Sequence, residues 1–186
     1  MVLNLVAILA VALVITACVR QKQTPAVDVI ERGPSNIDDL LDQSEGLDVI
    51  FALQEKIAKK EGESGYDSLT EAEKIFLCVE AVENEVNNGG FHQYFFNSAG
   101  DSAQDAPAAF MAIGADYTAE LVSRACAVFP GGEAPRNRGE RQDLLEEIGY
   151  EADETLGKLD DAFYEYQDDI AGLLLKYVKE NRNQFE

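Results

Sequence analysis

The sequence predicts an all-α fold: a single compact multi-helix domain behind an N-terminal leader and a short linker. Three observations predict it. After residue 36, apolar residues recur at three- and four-residue spacing through most of the chain. Helix start and stop signals fall at the ends of those runs. No run alternates with a period of two, and no Asn-Gly turn joins β-branched segments.

Residues 2–17 (VLNLVAILAVALVITA) carry no charge. The run is short for a membrane span, which needs about 20 apolar residues, and it suits a secretory signal. It ends in Ile15-Thr16-Ala17-Cys18, which resembles the lipobox of bacterial lipoproteins and implies lipidation of Cys18. Arg20 and Lys22 follow the apolar run instead of preceding it, a pattern that also suits a plain N-terminal anchor. Residues 1–17 are therefore read as a signal peptide or membrane anchor. The expected location is the cell envelope, or the cytoplasm if the leader does not function. Residues 18–36, with Thr24-Pro25 and Gly33-Pro34, read as a linker, and residues 37–186 as the domain.

Within the domain, residues 37–60 read as helix, with Leu47, Ile50, Phe51, Leu53, Ile57 and Ala58 in helical register and a break near Gly46. Residues 61–67 read as loop. Ser68 with Glu71, and Thr70 with Glu73, both have capping-box spacing. The helix they start should end at Asn87-Asn88-Gly89-Gly90, and a short one follows from Phe91 to Ser98. Asp105-Ala106-Pro107 opens a helix that stops near Gly114. Residues 116–129 form the next, with Leu121, Val122, Ala125 and Phe129 inward, ended by Pro130-Gly131-Gly132. Residues 131–141 read as loop carrying a basic cluster of Arg136, Arg138 and Arg141. Residues 142–157 read as a short helix and a loop. Residues 158–182 read as one amphipathic helix, with Leu159, Phe163, Tyr166, Ile170, Leu173, Leu174, Tyr177 and Val178 inward.

The composition narrows function. There are 35 acids against 15 bases, a net charge of -20. That disfavours direct binding of nucleic acid, a polyanion, and favours a basic protein partner, cations or plain solubility. Cys78 and Cys126 lie in apolar helical patterns, where a thiol packs as a small hydrophobe; whether they pair is open. No Cys/His spacing suggests a metal site, and no cofactor motif is present.

One stretch stands apart: residues 83–101, ENEVNNGGFHQYFFNSAGD. Its amides and glycines read as a helix–turn–helix hub, with Phe91, Tyr94, Phe95 and Phe96 filling the core and the amides closing the backbone. A catalytic reading would pair His92 with Glu85 as general base and orienting group. A lone histidine without a nucleophile motif or metal spacing makes the non-enzymatic reading the stronger one. Glu85, Asn87, Asn88, Gly89, Gly90, Phe91, Gln93, Tyr94, Phe95, Asn97, Gly100 and Asp101 are similar to the signature of the bacterial DNA-mimic protein family. Ala112-Ile113-Gly114-Ala115, Phe129-Pro130 and residues 159–164 (LDDAFY) support the resemblance, which spans roughly residues 45–182. It implies a helical domain whose carboxylates imitate DNA phosphates and occupy a basic, DNA-binding protein. The candidate carboxylates are Asp143, Glu146, Glu147, Glu151, Asp153, Glu154, Asp160, Asp161, Glu165, Asp168 and Asp169. The alternative is an envelope lipoprotein with a structural or toxin-neutralising role. Self-association as a homodimer is left open.

Overall fold

The structure, a computed structural model, describes residues 36–185 apart from Glu45. The leader and most of the linker lie outside the described residues. Among those residues the chain is all-helical: α1 (Ile37–Gln43), α2 (Leu47–Ser64), α3 (Glu71–Phe96), α4 (Ala106–Ile113), α5 (Asp116–Cys126), α6 (Arg138–Ile148), α7 (Tyr150–Phe163) and α8 (Ile170–Glu180). Short 3-10 turns join several of them.

α3 is the central element and packs against α2, α4, α6 and α7, while α8 closes on α2 and α4. Its start is the capping box at Thr70: the hydroxyl accepts from Glu73 N at 3.1 Å and the Glu73 carboxylate accepts from Thr70 N at 2.8 Å. The Thr70 hydroxyl also donates to the Gln184 carbonyl, and Phe185 packs edge-on against Phe76. Residues 184–185 are thereby pinned to the first turns of the central helix.

The stop at Gly89-Gly90 is a kink within α3. Gly89 is extended, and Gly90 has φ 75°, a left-handed value that glycine adopts without cost. Helix resumes at Phe91. A Cβ at Gly90 would collide with the Asp160 carboxylate, so the site requires glycine twice over.

Several expected boundaries move. Residues 61–64 continue α2, and the chain turns at Gly65, φ 84°. The loop expected over 131–141 ends early, because Asn137 caps α6 by accepting from Glu140 N at 3.0 Å. The helix expected over 158–182 is two. It breaks at residues 164–169, where Tyr166 adopts φ 46° and Asp169 starts α8 by accepting from Gly172 N. Apolar spacing persists across that break, which is why periodicity alone misses it. Leu47, Phe51, Phe96 and Tyr166, expected inward, are exposed.

Among the described residues, the buried polar and charged side chains are Glu73, Glu80, Thr118 and Arg141. Glu73 accepts from Lys60 Nζ at 2.8 and 2.9 Å. Thr118 is held by Asp168, which accepts from its N–H and its hydroxyl at 2.8 and 2.9 Å. Arg141 is 0% exposed. It donates to the carbonyls of Phe95 (2.6 Å), Asn97 (2.8 Å), Pro135 (2.7 Å) and Arg136 (3.2 Å), and to Asp101 Oδ1 (2.8 Å). The basic cluster expected at 136–141 therefore disperses. Arg141 is interior, Arg136 pairs bidentately with Asp105, and Arg138 Nε donates to the Phe96 carbonyl.

Glu80 differs from the other three: it is 7% exposed and makes no hydrogen bond or ion pair among the described residues. Burial first, and then the neighbouring Glu83 charge, push its carboxyl up to about 7.

Arg141→Met leaves the end of α3 without donors and should cost about 3–5 kcal/mol in urea unfolding; Arg141→Lys should recover less than half of it. Glu80 holds its proton more tightly folded than unfolded, so its contribution to stability is lost as pH rises from about 4.5 to about 7. Glu80→Gln should flatten that slope, matching the parent at pH 4 and exceeding it by about 1–3 kcal/mol at pH 8. Parallel slopes for variant and parent would refute the assignment.

Candidate functional site

The stretch 83–101 separates into three structural assignments. The first is internal. Glu85 accepts from Gln93 Nε2 and Asn97 Nδ2, both at 2.8 Å, and so bridges the kink from one helical segment to the other. The amides expected to close backbone groups serve this carboxylate instead. The second is the clamp from residues 160–166. Asp160 accepts from Phe91 N at 2.7 Å, capping the resumed helix, and the Tyr164 hydroxyl donates to the Val86 carbonyl at 2.8 Å. Asn87 donates to the Tyr166 hydroxyl at 2.6 Å, and that hydroxyl donates to Glu83 at 3.0 Å. The third is Arg141, which fills the space beside Gly100: a Cβ there would come 2.7 Å from Nε. Phe91, Tyr94 and Phe95 are fully buried.

His92 and Glu85 face different groups. His92 stacks on Phe96 with rings 13° from parallel, and its Nε2 lies 3.8 Å from Asp153 Oδ1. Glu85 lines an open groove of about 610 Å³ with Tyr66, Lys74, Cys78, Asp105 and Arg136. The Cys78 thiol donates weakly to Ser102 and the Cys126 thiol to the Ala103 carbonyl. Both are free thiols, pushed by burial up to about 11 and about 12, and so stay protonated at neutral pH. Among the described residues no group of three or more His, Cys, Asp or Glu side chains could hold a metal ion. Among them, no helix is long and apolar enough to cross a membrane.

The candidate carboxylates divide by what they touch. Asp160, Asp168 and Asp169 each accept a backbone N–H and so hold the fold. Burial raises the Asp160 carboxyl, opposed by its bond from Phe91 N. Asp143, Glu146 and Glu147 on α6, with Glu151, Asp153, Glu154 and Asp161 on α7, are exposed. Glu165, also exposed, accepts from Gln167. Of the α7 set, Glu154 pairs with Lys158 at 2.7 Å and Asp153 faces His92. Asp143, Glu146, Glu147, Glu151 and Asp161 make no side-chain hydrogen bond or ion pair among the described residues. Glu140 adds to the α6 set.

The interior placement of Arg141 and Glu80 and the outward turn of Phe96 run against expectation from the sequence. Glu80 had a legible signal, since it follows Phe76 by one helical turn and so falls on the buried side. Arg141 had none.

No curated protein and no solved structure matches the chain. The family model described as DMP19-like protein matches residues 67–181, from just before the α3 capping box to the end of α8. That span is more than half the sequence and holds the kink, its clamp and the Arg141 site, and the chain therefore belongs to the DMP19-like protein family, a DNA-mimic protein family.

Proposed function

We propose that this protein is an interaction module that binds a basic protein through the carboxylates of α6 and α7, in the manner of a DNA mimic. The observation that carries the reading is the unpaired acid on those two helices. From Glu140 to Glu147, α6 presents Glu140, Asp143, Glu146 and Glu147 over about 10 Å of helix axis. Duplex DNA presents about one charge per 1.7 Å, so the helix falls within a factor of about two of that density. Carboxylates left without internal partners keep their full field for steering a cationic surface. The reading is non-enzymatic: binding needs charge and spacing, and no proton transfer.

The envelope tether belongs to the same proposal and rests on the sequence alone. An uncharged run ending in Ile15-Thr16-Ala17-Cys18 would lipidate Cys18 and hold the domain at a membrane surface. A basic protein outside the cytoplasm, such as an incoming nuclease, would then be the class of target.

Two experiments test this. Affinity capture from the native cell should retain a basic protein at low salt and release it at high salt. A variant carrying Asp143→Asn, Glu146→Gln, Glu147→Gln and Glu151→Gln should lose it with an unchanged melting temperature. Capture that is equal for the variant and indifferent to salt would exclude the mimicry. These four positions are the correct targets, because neutralising Asp160, Asp168 or Asp169 would remove helix caps at about 1 kcal/mol each. Intact-mass analysis should find the lipid on Cys18, absent in Cys18→Ala; an unprocessed, unlipidated chain would refute the tether.

A further inference from the structure

Phe96 is 47% exposed and Tyr150 is 79% exposed. Neither contributes much to the core, and the Tyr150 hydroxyl makes no hydrogen bond among the described residues. Six aromatics are exposed among the described residues; Phe96 and Tyr150 are the two beside α6, and aromatic rings are enriched where partners dock. Here they sit among the acids. Phe96 is backed by His92, which faces Asp153. The Phe96 carbonyl accepts from Gln142 Nε2 at 2.7 Å, which lays α6 against the end of α3; Glu146 lies one turn beyond Gln142 on the same side of α6. Tyr150 precedes Asp153 and Glu154 by one turn of α7. Arg138 reaches the same corner, with its Nε engaged by the Phe96 carbonyl.

A surface that only imitates phosphate charge has no use for aromatic rings. A ring beside a carboxylate suits one cation in particular. A guanidinium is planar and weakly hydrated, stacks on an aromatic face, and bonds a carboxylate through two parallel N–H groups. A lysine ammonium is a compact, strongly hydrated point charge and gains mainly the Coulomb energy. We infer that the Phe96–Tyr150 patch selects arginine side chains of the basic partner, with the rings stacking on the guanidinium and Glu146 and Asp153 accepting its N–H groups. The inference rests on the acidic-module reading and adds a chemical preference to it.

The test titrates the full-length protein with deca-arginine and deca-lysine peptides at physiological salt. The parent should bind the arginine peptide about tenfold more tightly than the lysine peptide, the scale of a desolvated cation–π contact. Phe96→Leu and Tyr150→Ser should bring arginine binding down to the lysine level and leave lysine binding unchanged. Phe51→Ala, on the exposed side of α2, should keep the preference. Equal affinity of the parent for the two peptides overturns the inference while leaving the acidic reading standing. Binding of neither peptide removes both. Retention of the preference in Phe96→Leu, or equal loss on both peptides, also overturns it. So does sedimentation showing a parent dimer that Phe96→Leu dissociates, since the patch would then seat a second copy of this chain.

Discussion

A guanidinium with no exposure to water closes the end of the central helix. The carbonyls at a helix C-terminus have no partner within the helix, and burying them unbonded would cost on the order of 1–3 kcal/mol each. Arg141 takes the Phe95 and Asn97 carbonyls and, from the other side, those of Pro135 and Arg136. One side chain thus joins the end of α3, the strand of loop before α6, and α6 itself. Its charge is balanced by Asp101, and its room is made by the missing side chain of Gly100. Gly100 and Asp101 are thus fitted to an arginine some 40 residues away.

The same logic governs the other end of the motif. A kink frees backbone groups on both sides, and residues from the end of α7 recover them: Asp160 bonds the Phe91 N–H and Tyr164 the Val86 carbonyl. The loop that carries Asp168 and Asp169 then starts α5 and α8. The acids of residues 160–169 therefore have two kinds of work. Asp160, Asp168 and Asp169 spend their acceptor capacity on the fold. Asp161 stays free for solvent or a partner.

That division explains how a chain of net charge -20 keeps a stable core and an available field. Carboxylates that accept backbone N–H groups stabilise the fold despite the crowding of like charge. Those on α6 and α7 that lack partners add self-repulsion, and that repulsion is what a basic partner would relieve. Glu80 is the exception, a largely buried acid without a protein partner among the described residues, and burial raises its carboxyl to about 7.

Local chemistry along the chain sets the helical class, a helix start at Ser68 or Thr70 of which the fold uses Thr70, a break at Gly89-Gly90 and the helix stop at Gly114. Each depends on residues within about four positions of one another, and local chemistry of that range is written in order along the chain. The sequence also carries the family signature. Long-range packing sets which acids are free, why Phe95 is core while its neighbour Phe96 is exposed, and that 158–182 is two helices. It alone turned Arg141 from a member of a loop cluster into an interior brace. These outcomes depend on groups 40 to 80 residues apart, and neither charge nor hydrophobicity, read residue by residue, says which distant backbone group a side chain will meet.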